Sequence, residues 1–313
     1  MQQINVEEKF NNKKLSDLLF SKYNGLTKNT LYKAFRKKDI RINNIKVTED
    51  KIVHSGDIIT IFILDNFLYK NIKLEKIYED NNILIVSKPS DIEVIGDNSL
   101  TNLLEKEYPF ISPCHRLDRN TMGLVLFAKN KEALNILIDK FKNKEIEKHY
   151  LAKVCTPSEI KKCKNNMHKS NFNNKSINLK EGNTQKFEAY LFKDNKQSKV
   201  YISDTPKKGY VKIETSVTLL ERNNKQNYMI LDVELHTGKT HQIRAHLAHI
   251  GLPIIGDGKY GINEINKKFG YNTQQLFSYK LKFNFITDSG ILNYLNGKEI
   301  ILKEIHALTF HSL

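Results

Sequence analysis

The sequence predicts an α+β fold: a mostly antiparallel, mixed central sheet with flanking helices and loops, preceded by a small N-terminal α/β unit. Three observations carry this. From residue 76 onward, strand-like runs outnumber helical ones, and the two do not alternate as a doubly wound parallel sheet requires. Residues 1–65 have a pattern of their own, two short helices and then two short strands, with 66–75 reading as a linker before a second domain over 76–313. The chain has 313 residues, 40% of them hydrophobic, enough to bury one large or two modest cores.

In the first unit, Leu15, Leu18 and Leu19 open an amphipathic helix with Asp17 in its first turn, and Gly25 is expected to stop it. Thr27 is placed to cap a second helix over 28–38. Its apolar face is Leu31, Ala34 and Phe35; its other face carries Lys33, Arg36, Lys37 and Lys38. Strand patterns follow at 40–43 and 57–63, with a Ser55-Gly56 turn before the latter. Between 28 and 46 there are seven Lys or Arg, Arg41 among them, against one acid, Asp39.

In the second unit, a buried strand at 83–86 ends at Lys88-Pro89, and a short helix is expected over 99–107. Then comes HRLDRNTMGLVLFAK, residues 115–129, a turn leading into a strand at 124–128. A helix over 131–141 and a strand at 150–154 follow. Residues 156–184 are rich in Lys, Asn and Ser and are expected to form a mobile surface insertion. Strands return at 187–192, 211–220 and 229–235. Thr240 is expected to cap a helix with Ile243, Leu247 and Ile250 on its apolar face and Gly251 at its end.

Bulk chemistry narrows the function. Fifty Lys and Arg against 35 Asp and Glu give +15 at pH 7, which points to a polyanionic partner, nucleic acid first. Cys114, Cys155 and Cys163 form no C-x-x-C pair, so a structural zinc site is not expected, and the sparse, odd count suits a reducing compartment. Cys114 adjoins the 115–129 turn and reads as a bystander. No apolar run approaches a membrane span, and the first residues lack the apolar core of a signal peptide; the expectation is a cytoplasmic protein.

Three segments carry candidate chemistry. Asp118 lies between Arg116 and Arg119, and neighbouring guanidinium groups favour an ionised carboxylate. Tyr150, in KHYLAKV, opens a strand among polar neighbours; its ring can stack on a base and its hydroxyl can move a proton. Arg244 lies beside the apolar face of the 240–251 helix, placed to be half-buried and aimed at an acid. The four histidines around it, His236, His241, His246 and His249, lack the H-E-x-x-H spacing and have no acid among them, so capping and hydrogen bonding are expected rather than metal. The glycines of 251–261 fit neither a P-loop nor a dinucleotide fingerprint and predict a structured turn.

The first unit resembles the alpha-L RNA-binding domain also found in a small-subunit ribosomal protein, through LSDLLFSKYNGLTKNTLYKAFRKKDIRINNIKV and HSGDIITIFI. The likeness implies that Lys33, Arg36, Lys37, Lys38 and Arg41 contact RNA phosphates. Nearly the whole chain resembles bacterial pseudouridine synthases of the RluA/RluC/RluD type, which act mostly on large-subunit ribosomal RNA. The motifs, in the family's order, are ILIVSKPSDIEV, HRLDRNTMGLVLFAKN, KHYLAKV and HTGKTHQIRAHLAHIGLPIIGDGKYG.

That resemblance implies the pseudouridine synthase fold. It also implies Asp118 as the catalytic aspartate, Tyr150 as the tyrosine packed on the target base, Arg244 as the partner that keeps Asp118 ionised, and Arg116 as a residue that helps open the RNA stack. Two departures are visible: Thr121-Met122-Gly123 where the family usually has Thr-Ser-Gly, and Asp91 where it often has glycine. The expected reaction needs no cofactor and no metal. The expected partner is RNA, ribosomal first and transfer RNA second, met by a monomer with no membrane contact. One alternative is a catalytically silent RNA-binding or ribosome-assembly factor, which would tolerate loss of Asp118. An RNA methyltransferase would need a glycine-rich cofactor loop after an early strand, which the chain lacks.

Overall fold

A computed structural model describes residues 1–68, 72–96, 99–164 and 179–303. They divide into two compact units, Met1–Lys73 with Ile95–Leu103, and Leu74–Val94 with Leu104–Leu313.

The first unit runs β1 (Gln2–Asn5), a 3-10 turn at Glu8–Phe10, β2 (Lys13–Lys14), α1 (Leu15–Lys22), α2 (Lys28–Lys37), β3 (Ile40–Ile42), β4 (Ile45–Lys46), β5 (Ile52–Val53), β6 (Ile58–Ile61) and α3 (Asp65–Leu68). The sheet order is β1-β6-β3-β4, and every pair is antiparallel. Leu15, Leu18 and Leu19 of α1 and Leu31, Ala34 and Phe35 of α2 are buried with Ile40, Ile59 and Ile61. Each of the leucine, isoleucine and phenylalanine side chains contributes about 1.5–3 kcal/mol of burial. The hydroxyl of Thr27 caps α2, accepting from the Thr30 amide at 3.2 Å. Lys38, in the left-handed region at φ 59°, ends the helix and turns the chain into β3. Helix α1 stops before Gly25: Tyr23 is already extended, and the Gly25 amide bonds the Leu68 carbonyl instead.

The second unit contains β7 (Glu75–Glu79), β8 (Ile83–Lys88), β9 (Ser112–Pro113), β10 (Met122–Ala128), α5 (Lys131–Lys142), β11 (Ile146–Cys155), α6 (Pro157–Lys164), β12 (Thr184–Asp194), β13 (Lys199–Ser203), β14 (Val211–Asn223), β15 (Tyr228–Leu235), α7 (Gln242–His249), α8 (Asn263–Phe269), β16 (Leu276–Phe283) and β17 (Glu299–Ile301). Helix α4 covers only Leu100–Leu104, mostly within the first unit, and the amides of Glu107 and Tyr108 after it both bond the Leu104 carbonyl.

The central sheet has the order β13-β12-β14-β15-β11-β16-β10-β8-β7, with β17 on β16 and β9 on β10. Of the strand pairs among the described residues only β10–β16 is parallel, beside one isolated parallel bridge from Glu181 to Leu219, so the sheet is mixed and mostly antiparallel. Ile83 to Val86 and Leu124 to Ala128 are all fully buried. That explains why both strands read as unbroken apolar runs rather than alternating ones.

The segment 156–184 is not the single insertion its composition predicts. Pro157–Lys164 is helical, with Ile160 in the main core and Glu159 buried against Lys268. The amides of Glu159 and Ile160 both bond the Thr156 carbonyl, and Pro157 suits a first helical turn. Leu179 is buried and β12 starts at Thr184; residues 165–178 lie outside those described. Among the described residues no helix is long and apolar enough to cross a membrane.

Candidate active site

Asp118 sits in the turn between β9 and β10, closed by the Thr121 amide bonding the Asp118 carbonyl at 3.0 Å. Gly123, just inside β10, is what lets this turn approach its neighbours. It has φ +108°, and a Cβ there would stand 2.0 Å from the backbone oxygen of Ser278 on β16. Ser278 in turn pairs with Tyr150 on β11. Three adjacent strands thus bring Asp118 and Tyr150 to one cavity of about 520 Å³, lined by both, by His241 and Arg244 of the α7 segment, and by Arg116 and Lys148.

Arg244 is held from two sides. Its Nη1 donates to Asp118 Oδ2 at 2.8 Å, while Nε and Nη2 form a fork onto the two carboxylate oxygens of Asp257, at 2.7 and 3.0 Å. Asp257 is fully buried. Burial alone would raise its pKa, but Arg244 and the amides of Lys259 and Tyr260 (2.8 and 3.0 Å) hold it below the usual carboxylate range. Arg244 therefore has one carboxylate that fixes its plane and one, half-buried at the cavity wall, that it presents.

Helix α7 does not start as the sequence predicts. Thr240 does not cap it; His241 occupies the cap position in the left-handed region at φ 54°, without a side-chain bond to the helix amides. The buried Gln242 side chain closes the turn instead: its oxygen accepts from Lys239 N and Thr237 Oγ1, and its nitrogen donates to the Glu214 carbonyl and Thr215 Oγ1. The strained cap turns His241 toward Asp118, with Nε2 3.8 Å from Oδ2. Tyr260 OH accepts from the Val200 amide at 3.0 Å, so its own proton is free for His241 Nδ1 at 2.9 Å. That pattern assigns the ring proton to Nε2, facing the carboxylate. Burial lowers the His241 pKa against the opposing pull of Asp118, which favours the neutral ring.

Tyr150 is buried, and burial together with the charge of Asp118 raises its pKa well above the usual tyrosine value. It meets a ligand as a neutral phenol. Lys88 is fully buried at the end of β8. Its ammonium donates to the carbonyls of Pro89, Ile92 and Arg119 at 2.8–2.9 Å, tying the Asp118 turn to the loop after β8. Burial draws its pKa down to about 8, with the Asp118 charge opposing.

The two arginines that flank Asp118 in sequence do not grip it. Successive side chains diverge in the turn: Leu117 enters the core, Arg119 reaches out to Asp91 at 2.9 Å, and Arg116 is exposed along the cavity. The guanidinium on Asp118 is Arg244, 126 residues away in sequence. In the first unit, Lys33, Arg36, Lys37 and Lys38 are exposed on α2 and its end. Arg41 is half-buried with its guanidinium 4.9 Å from the centre of the Phe62 ring. Asp257, Lys88 and Tyr260 are contacts the motif reading did not single out, and His241 was expected only as a capping or hydrogen-bonding residue; Asp257 and Tyr260 lay in the glycine-flanked 251–261 turn.

The four histidines of 236–249 bond Ser216 (His236), Tyr260 (His241), Thr215 (His246) and Asp204 (His249). Glu147, His149 and Glu234 bring ligand atoms within 4.8 Å of one another and could hold a metal ion. They already engage Lys282, Asp232 and His236 respectively. Cys114 borders the cavity, but burial pushes its thiol up to about 12, which keeps it protonated and a poor nucleophile.

Comparison with known proteins points the same way as this geometry. A family model described as RNA pseudouridylate synthase matches residues 82–249, which contain Asp118, Tyr150 and Arg244. An uncharacterized RNA pseudouridine synthase of Mycoplasma capricolum is 32% identical over 296 residues, 87% of each chain. The ribosomal large subunit pseudouridine synthase C of Buchnera aphidicola from Acyrthosiphon pisum is 29% identical, covering 96% of this chain and 92% of its own. The solved structure of human RNA Pseudouridylate Synthase Domain Containing 1 overlays with a TM-score of 0.52 at 19% identity, covering 75% of this chain and 93% of that one, which supports the fold. With the family model spanning more than half of the chain and whole-length relatives agreeing, the protein belongs to the RNA pseudouridylate synthases, isomerases that convert uridine to pseudouridine in RNA.

Proposed function

We propose that the chain modifies uridines of large-subunit ribosomal RNA, with Asp118 as the catalytic group, Tyr150 against the target base and Arg244 holding Asp118 ionised. The observation that carries this is the Asp118–Arg244 contact, 2.8 Å long, at the wall of a cavity of about 520 Å³ that also presents Tyr150. A cavity of that size suits one nucleotide. The names of the bacterial relatives support ribosomal RNA as the substrate; transfer RNA is the second choice.

In this reading the uridine leaves its stack and enters the cavity. Asp118 acts on the nucleoside while the bond from sugar C1′ to ring N1 breaks. The uracil turns in place and forms a new bond from C5 to C1′. The C5 proton then leaves and N1 gains one, with the neutral Tyr150 hydroxyl or a neighbouring group assisting. One bond replaces another within a single nucleotide, so the balance calls for no redox agent, metal or external energy source. Arg116 meets the opened stack. Residues 1–65 act as the RNA-binding domain, with Lys33, Arg36, Lys37, Lys38 and Arg41 on phosphates. The enzyme works as a cytoplasmic monomer.

Asp118→Asn is the test. The variant should bind RNA as the wild type does and form no pseudouridine; an ordinary product yield would remove Asp118 from the chemistry and favour a silent RNA-binding factor.

A further inference from the structure

The cavity holds a cation that the chemistry above leaves unused. Lys148 stands two residues before Tyr150 on β11, so the two side chains leave the same face of the strand, and both line the cavity. Lys148 is half-buried, with Nζ 4.8 Å from the centre of the Phe141 ring. Among the described residues no carboxylate lies within ion-pair distance of it. A desolvated ammonium without an anion is costly, and burial draws its pKa down to about 8.

His115, also at the cavity wall, has a complementary deficit. Its Nε2 accepts the Leu126 amide at 3.1 Å, which leaves the proton of the neutral ring on Nδ1. Burial, with the Lys148 charge adding to it, pushes the ring's pKa down to about 3, so it stays neutral. The buried Nδ1 has no partner among the described residues. His115 packs on the same Phe141 ring as Lys148, centroid to centroid 5.2 Å. Lys148 and His115 thus share one aromatic wall and neither has an acceptor, but Nδ1 of His115 is closed to solvent, so Lys148 is the donor a cavity ligand meets. A donor in this position calls for an acceptor.

We infer that Lys148 forms a phosphodiester subsite that holds the RNA backbone next to the extruded uridine. The inference rests on the proposed reading of this cavity as the RNA site. Two residues of strand separate Lys148 from Tyr150 by about 6.6 Å, a span that lets one nucleotide put its base on the tyrosine and a phosphate on the lysine. A protein carboxylate fits less well, because the cavity already presents the carboxylate of Asp118.

The test is a salt titration of binding, which needs no turnover. The full chain and its Lys148→Met and Lys148→Arg variants are titrated against an in vitro transcript of large-subunit ribosomal RNA at several salt concentrations. Loss of one phosphate contact lowers the slope of log K against log salt by about 0.7–0.9. Lys148→Met should show that loss together with roughly tenfold weaker binding at low salt, while Lys148→Arg, which keeps the charge, should keep the wild-type slope. An unchanged slope in Lys148→Met overturns the subsite. So does an equal drop in both variants, because that would locate the effect in packing rather than charge. Thermal unfolding of both variants reports whether either has lost its fold. Failure here leaves the isomerase reading intact, since that reading stands or falls on pseudouridine formation in the Asp118→Asn protein.

Discussion

Arg244 shows how one side chain can serve two carboxylates with different tasks. The fork to buried Asp257 immobilises the guanidinium, and the remaining Nη1 is aimed at Asp118. Removing one charge of a buried pair typically costs about 3–5 kcal/mol. Asp257→Asn should therefore lower the unfolding midpoint and also slow pseudouridine formation, because Arg244 is then free to leave Asp118. Chemical denaturation alongside single-turnover rates checks both; a slower reaction with unchanged stability would contradict the brace. The pH dependence has a definite sign. Asp257 has a folded pKa below its ordinary 3.8, so its stabilisation is present above that value and is lost as the pH falls through the lower folded value. The sequence points to Arg244 as a half-buried residue seeking an acid. It hides Asp257, because an acid flanked by Gly256 and Gly258 reads only as part of a turn. Gly256 itself is required: at φ +81°, a Cβ there would stand 2.0 Å from the Thr273 carbonyl oxygen.

At the scale of elements, the strands and helices whose pattern is local are the ones legible in the sequence. The helix α2 shows its cap, its apolar face and its basic face in the residues themselves, and β8 and β10 show as continuous apolar runs. Helix α6 was obscured by its lysine-rich composition, although Thr156-Pro157 marks a helix start. The start of α7 could not be read at all, since its closure depends on a buried Gln242 reaching across to β14. The parallel β10–β16 contact is also long-range, and only the glycine at 123 hints at it. The basic face of α2 carries its own test. Replacing Arg36, Lys37 and Lys38 together with glutamine should weaken RNA binding and lower its salt slope by about 2, since fewer counterions are released. Equal affinity at every salt concentration would show that α2 is not an RNA face.

Across the whole molecule, the basic helix face and the four motifs fall in different units. The first unit carries exposed cations on a small independent core, and the second carries the Asp118 cavity on a mixed sheet. The fold class was readable because strand runs and helices fail to alternate, and the reaction was readable because four motifs occur in order. The pairing of Asp118 with Arg244, 126 residues away, followed from the resemblance alone, and the Asp257 fork that fixes Arg244 was not readable, because nothing local marks it. The most direct measurement is a map of pseudouridine along large-subunit ribosomal RNA from cells that lack this gene, supplied with either the wild-type chain or Asp118→Asn. Defined positions should lose pseudouridine without the gene, regain it with the wild-type chain, and stay unmodified with Asp118→Asn. Restoration by Asp118→Asn, or a map that never changes, would contradict an aspartate-dependent ribosomal RNA isomerase.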